Sequence, residues 1–267
     1  MEFLAEAVGC GVSKELRGPG TVLAIHAEAV NIELSTGFCL SLVSNQLDLA
    51  PNRIRLAEFD QVRGRVKPGD MVCIGWHQLW HYSFSIAWPK PLLSNLAPII
   101  PMFDSLEPMQ KLLQSGTGAC RCYMTGASDS VIDKKVAAEA EKLNNGSNGE
   151  SLLGLGKGLT PAGDDILTGY LAAGRRLGLD LSRHRDMPYK AFTATGSLSA
   201  TAIYFAARGR VQQRLEAVIS ALASSSEELV APAEALMAVG SSSGSDMLLG
   251  VYIALIKYFA KIGSDIA

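Results

Sequence analysis

Leu152 to Ala173 read LLGLGKGLTPAGDDILTGYLAA, and the reading of the fold starts from this stretch. Glycines 154, 156, 158 and 163 leave its first half bare of Cβ atoms, and Thr160-Pro161 then Gly163-Asp164-Asp165 lead into an apolar helical run. First-turn amides of a helix have no partner inside it, so a loop of this kind is an anion site. Glycine supplies the positive φ angles and the close backbone approach that such a loop requires. Downstream of about residue 130 the hydrophobic period is 3.6, with helices expected over 130–144, 165–177, 190–207, 211–224, 227–238 and 246–261. The polar run Asn144-Asn145-Gly146-Ser147-Asn148-Gly149 reads as a loop between the first two.

Upstream, from Thr21 to about Trp88, the period is 2. GTVLAIHAEAVNIEL, GFCLSLV, DMVCIGW and HYSFSIAW are short, rich in β-branched and aromatic residues, and separated by Ser35-Thr36-Gly37 and Lys67-Pro68-Gly69-Asp70. Tyr82, Phe84, Ile86 and Trp88 alternate with small residues, as in a strand with one heavy face. A stretch holding Pro89, Pro91, Pro98, Pro101 and Pro108 follows, with a short helix expected near 109–114. The expected class is α+β: a β-rich barrel-like or small-sheet unit over 1–95, a connector over 96–129, and an all-helical unit over 130–267 that carries the glycine loop.

Composition excludes several classes. The 267 residues are 48% hydrophobic and 19% charged, which is globular rather than disordered. A net charge of -2 and a pI near 6.1 offer no global positive field for nucleic acid. The longest apolar run, Met247 to Ile256, falls short of the ~18 residues of a membrane span. Glu2 and Glu6 stand where a signal peptide needs positive charge. Five scattered cysteines are an odd set, unlike a disulfide framework. The expectation is a cytoplasmic protein with reduced thiols and neither nucleic acid nor membrane as partner.

The glycine segment has an echo 81 residues later: Gly163-Asp164-Asp165-Ile166-Leu167-Thr168-Gly169 aligns with Gly244-Ser245-Asp246-Met247-Leu248-Leu249-Gly250. Ala173 then matches Ala254, and Arg176 matches Lys257. Asp165, Gly169 and Ala173 share one helical face, as do Asp246, Gly250 and Ala254. Aspartate in a first turn is ordinarily a partner of the helix dipole, and Ser or Thr before it an ordinary cap. Capping does not require a glycine four residues later, and small residues there permit close helix approach. The expectation is that the two helices pack together, or line one cleft, with Asp165 and Asp246 converging on a shared site. Asp165, Asp164 and Asp246 are the candidate catalytic groups. Gly156, Gly158, Thr160, Gly163, Ser242, Ser243 and Gly244 are the candidate anion-binding positions. Adjacent carboxylates beside phosphate are electrostatically poor without a hard cation, so Mg²⁺ on Asp165 and Asp246 is the cofactor this set fits.

Other patterns fail. Gly154-Leu155-Gly156-Lys157-Gly158 lacks the spacing of a dinucleotide fingerprint or P-loop. Gly240-Ser241-Ser242-Ser243-Gly244 matches a nucleophile elbow in form, but no histidine follows and an alanine-rich helix precedes it. His77 and His81 have no acidic residue close by in sequence and read as structural or surface residues, and Cys120-Arg121-Cys122 lacks the spacing of a zinc knuckle or redox pair. Arg183-His184-Arg185 and Arg208-Gly209-Arg210 read as solvated helix ends within reach of an anion.

GLGKGLTPAGDDILTG, with the later GSSSGSDMLLG, resembles the signature of the AllH-type family. The second motif is looser, Ser241 standing where relatives often carry histidine. The resemblance implies a β-rich N-terminal part and a helical C-terminal part. It also implies a subunit of oxamate carbamoyltransferase in anaerobic allantoin (purine) breakdown, working with an acyl-CoA-synthetase-like partner and another subunit. That enzyme interconverts oxalurate and phosphate with oxamate and carbamoyl phosphate. Gly156, Gly158, Thr160, Gly163, Asp164 and Asp165 match the family motif and would bind phosphate, carbamoyl phosphate or its metal. Two other readings stand beside this one: a stand-alone Mg²⁺-dependent hydrolase with a helical aspartate site, and a non-catalytic scaffold subunit.

Overall fold

The computed structural model of the chain describes residues 1–88, 91 and 97–266, with side chains to 263. Pro89 and the expected boundary at 95/96 lie outside the described residues. The chain divides into two units, Met1–Asn95 and Leu96–Ala267.

The first unit is an eight-stranded closed barrel, which decides between the barrel and the small sheet that the period-2 pattern leaves open. Its strands are β1 (Glu2–Val8), β2 (Gly18–Ile25), β3 (Ala29–Leu34), β4 (Cys39–Val43), β5 (Arg53–Leu56), β6 (Met71–Ile74), β7 (Gln78–His81) and β8 (Phe84–Ala87), with a short helix α1 (Phe59–Arg63) after β5. They run in the order β1-β5-β4-β3-β2-β6-β7-β8, and parallel pairing of β8 with β1 closes the ring. Closure removes the open edges that would template association. Leu79 faces Ile86 across β7 and β8, and both point inward. Phe84, Ile86 and Trp88 form the expected heavy face; Tyr82 does not join it, because it sits in the hairpin turn and is exposed. His81 is buried, with Nε2 3.4 Å from Asp70 Oδ2, so the acidic partner missing nearby in sequence comes from the turn before β6.

The second unit holds α2 (Leu106–Gln114), α3 (Gly118–Thr125), α4 (Val131–Asn144), α5 (Ala162–Arg176), α6 (Met187–Ala194), α7 (Ser197–Ala206), α8 (Gln213–Ala221), α9 (Ser226–Met237) and α10 (Ser243–Ile266). Two helices, α2 and α3, lie within the stretch expected as connector. The helix expected over 190–207 is two, α6 and α7, parted at Thr195, which is extended, and Gly196. Capping is legible where it is local: Ser130 accepts the N–H of Asp133 at the start of α4, and Ser225 with Glu228 forms a capping box on α9. The helix α5 is buried on nearly every face, as its run of small and apolar residues dictates. Its C-terminal Arg176 is buried and paired with Glu216, and its Nε donates to the carbonyl of Ala97 at 2.7 Å. Among the described residues no helix is long and apolar enough to cross a membrane.

Candidate functional site

The contact between α5 and α10 is the most extensive between any two elements, and glycine makes it possible. A Cβ on Gly169 would lie 2.0 Å from the carbonyl oxygen of Met247, and one on Gly250 2.0 Å from that of Ile166. Met247 is the echo of Ile166, and Gly250 of Gly169, so the two contacts are reciprocal, like an isologous interface folded into one chain. This crossing, one to four residues beyond each aspartate, brings the two helix starts to one place. Thr160 Oγ1 and Ser243 Oγ, one from each echoed turn, hydrogen-bond at 3.0 Å.

Asp165 and Asp246 are both buried, and the charge of Asp246 acts on Asp165. Oδ2 of Asp165 and both carboxylate oxygens of Asp246 are shut from solvent and have no well-formed hydrogen bond. Burial dominates their acidity. It lifts Asp165 well above the usual carboxylate range against the opposing hydroxyls of Ser243 and Thr160, with repulsion from Asp246 and Asp164 adding to the rise. It raises Asp246 to about 7, against the Ser242 hydroxyl and the backbone N–H of Cys120, with Asp133 on α4 adding repulsion. Burial of both groups, with the charge of Asp246 acting on Asp165, opposes their ionising together. Asp246 has no exposed surface, whereas Asp165 retains a little.

Asp164 is committed elsewhere. Oδ1 accepts the N–H of Gly154 at 2.8 Å and Oδ2 the hydroxyl of Thr195 at 2.5 Å, tying the glycine loop to the start of α7. Burial raises its pKa and these hydrogen bonds oppose the rise.

The glycines also divide. Cβ atoms at Gly163 and Gly244 would strike the carbonyls of Leu152 (2.1 Å) and Leu236 (1.8 Å), and one at Gly156 would meet the amide of Ala162 at 2.4 Å. These three serve close backbone packing. Gly158 has φ +85 and open space around it, as a ligand-facing position requires. The amides expected to bind an anion at the start of α5 are engaged internally: Gly163 donates to Leu155 O at 2.8 Å, and Asp164 and Asp165 to Pro161 O. The hydroxyls of Thr160 and Ser243 bond to each other and act on Asp165, and that of Ser242 acts on Asp246. Lys157, from the glycine loop, lines a groove of about 400 Å³ with Lys135 and residues 130–132.

Sequence reasoning missed the wall behind the pair. Thr117 Oγ1 donates to Ser241 O at 3.0 Å, and burial of Cys120 on α3, with the charge of Asp246 adding to it, pushes its thiol up. The signal available was only Thr117-Gly118, a helix start without apolar periodicity. Among the described residues no group of three or more His, Cys, Asp or Glu is arranged to hold a metal.

The arrangement defines a class: a barrel unit followed by a helical unit in which duplicated loop–helix starts close on a buried acid pair. Residues 152–255 match the family of the oxamate carbamoyltransferase subunit AllH. The matched stretch contains both echoed turns and the whole α5–α10 crossing. No solved structure matches the chain.

Proposed function

We propose that the chain is a subunit of an oxamate carbamoyltransferase-like enzyme, acting with other subunits on a small anionic substrate in anaerobic allantoin breakdown. The observation that carries this reading is the convergence of Asp165 and Asp246 within the stretch that matches the family. A cytoplasmic setting accords with five free cysteines.

In the transfer from oxalurate, a phosphate oxygen bonds to the ureido carbon and the C–N bond breaks. The electron pair leaves on nitrogen, which needs a proton to depart as the amide of oxamate. A carboxyl group kept protonated near neutrality is the donor this step calls for. Asp165 is that donor, and in reverse its carboxylate takes the proton back. Asp246 acts through Asp165 as a positioning residue that keeps the proton in the pair. Lys157, Gly158, Thr160, Ser242 and Ser243 receive the phosphate, and Asp164 holds the loop that presents them. Asp165→Asn in the reconstituted complex is expected to abolish turnover with the fold retained; unchanged turnover overturns the role.

A second reading is favoured by the unpaired carboxylate oxygens, which are hard donors suited to Mg²⁺. Asp165 and Asp246 would hold the ion, with phosphate oxygens and water completing its shell, and it would supply charge neutralisation beside the phosphate. Calorimetric titration of the purified chain with Mg²⁺, with and without phosphate, tests it: heat lost in Asp165→Asn supports the ion, and no heat in either case removes it.

A further inference from the structure

The outward surface of the barrel is not uniform. On β1 its positions include Glu2 and Glu6, and on β5 they are Arg53 and Arg55. On β6, β7 and β8 they are Met71, Cys73, Gln78, Trp80, Ser85 and Ala87, and none is charged. The neighbouring β2 adds Pro19, Thr21 and Leu23, again without charge. The pairing register makes these residues one face: Cys73 lies between Pro19 and Trp80, Trp80 is opposite Ser85, and Met71 is opposite Thr21. Trp80 packs over bare Gly75, where a Cβ would fall 2.7 Å from its ring, so the ring is held in place before anything meets it. Trp76 stands at one end of the face, its ring stacked with the Arg17 guanidinium at 3.7 Å, and Tyr82 in the β7–β8 turn stands at the other. Charge enters at the borders, with Arg17 beside Trp76 and Glu2 across from Ser85.

We infer that this face is the contact between two copies of the chain, related by a two-fold axis. Tyr82 is 82% exposed, Met71 61%, Trp76 59%, Leu23 51% and Trp80 46%. With a whole aromatic side chain worth ~150–250 Å², the exposed parts of these five come to on the order of 600 Å². The largest apolar patch of an ordinary monomer is about 300–600 Å², and a stable interface draws about 600–1,000 Å² from each partner. The area therefore reaches what a dimer needs. An isologous contact sets each residue against the same patch on the other copy, and a face without charge meets itself at no like-charge cost. Aromatic and methionine side chains inside a charged border are the composition of an interface centre. The closed barrel offers no strand edge, so the copies join through side chains rather than by strand addition. The inference goes beyond the transferase reading and does not rest on the acid pair.

Sedimentation velocity of the full-length chain, from low to high micromolar concentration, is expected to show a monomer passing to a dimer. Cys73 reports the face in the unaltered chain, since it is exposed while the other four cysteines are buried or half-buried. Its labelling by a maleimide, read by mass spectrometry, is expected to slow over the concentrations at which the dimer forms. Trp80→Glu is expected to weaken self-association by at least tenfold, about 1.4 kcal/mol, with the far-UV circular dichroism retained. Val131→Glu, at an equally exposed apolar position of the helical unit, is expected to leave it unchanged. A chain that stays monomeric throughout, its face left to another protein or to none, overturns the inference. So does a dimer that forms with Cys73 labelling unchanged, or one that persists undiminished in a folded Trp80→Glu. Asp165→Asn is expected to leave the dimer intact, so failure here and failure of the transferase reading are distinguishable.

Discussion

Asp246→Asn is expected to stabilise the helical unit at alkaline pH and to lose that advantage in acid. In the folded chain the Asp246 carboxyl is raised from 3.8 to about 7, chiefly by burial. Below the unfolded value both states hold the proton, and the group contributes no penalty. Between that value and about 7 the unfolded chain releases the proton while the folded chain retains it, so stability falls as pH rises. At ~1.4 kcal/mol per pH unit, the loss across this window is on the order of 4 kcal/mol. Asparagine does not titrate, so its own packing and hydrogen-bond costs are the same at both ends and cancel in the difference. All three tryptophans lie in the barrel unit, so their fluorescence reports that unit and far-UV circular dichroism weights the helices. Urea unfolding of chain and variant at about pH 4 and about pH 8 gives the comparison. The stability difference is expected to move in the variant's favour by several kcal/mol between the two. A difference independent of pH would refute the claim that Asp246 is buried without adequate partners.

Three further outcomes follow from the same geometry. Gly250→Ala places a methyl 2.0 Å from the carbonyl of Ile166, and the helices must part; a loss of about 3 kcal/mol or more is expected in urea unfolding. Asp164→Ala frees the N–H of Gly154 and the hydroxyl of Thr195; a cost of about 2–4 kcal/mol is expected, with faster proteolysis in the glycine loop. Arg176→Ala leaves Glu216 unpaired beside the core and removes the tie to Ala97; about 3 kcal/mol is expected, recovered in part by Glu216→Gln in the same chain.

Much of this architecture is visible in sequence because it rests on local pattern. Alternation over Phe84, Ile86 and Trp88 marks the barrel's inward face, and the 3.6-residue period marks α5 and α10. Strand β1 escapes because EFLAEAV is rich in strong helix formers, and only its pairing with β5 and β8 makes it a strand. The break between α6 and α7 falls at Thr195-Gly196, a local stop that the apolar period passes over, and Asp164 takes the hydroxyl of Thr195 there. The same division holds at the site. The glycine echo permits the close approach that α5 and α10 make at Gly169 and Gly250. It says nothing of Asp164, which resembles its neighbour in sequence and is spent on the loop, nor of Cys120 and Thr117, which arrive from α3 and the turn before it. Backbone bareness is likewise ambiguous from sequence: Gly163 and Gly244 are bare for packing, whereas Gly158 is bare toward open space.

The central claim is that Asp165 and Asp246 share one buried, proton-holding pair. Carboxyl-carbon NMR titration of aspartate-labelled chain, with and without Asp246→Asn, reads it directly. Asp165 is expected to titrate far above its ordinary 3.8 and to move down when the neighbouring charge is removed. An Asp165 that titrates near 3.8, or that is indifferent to Asp246→Asn, would contradict the account.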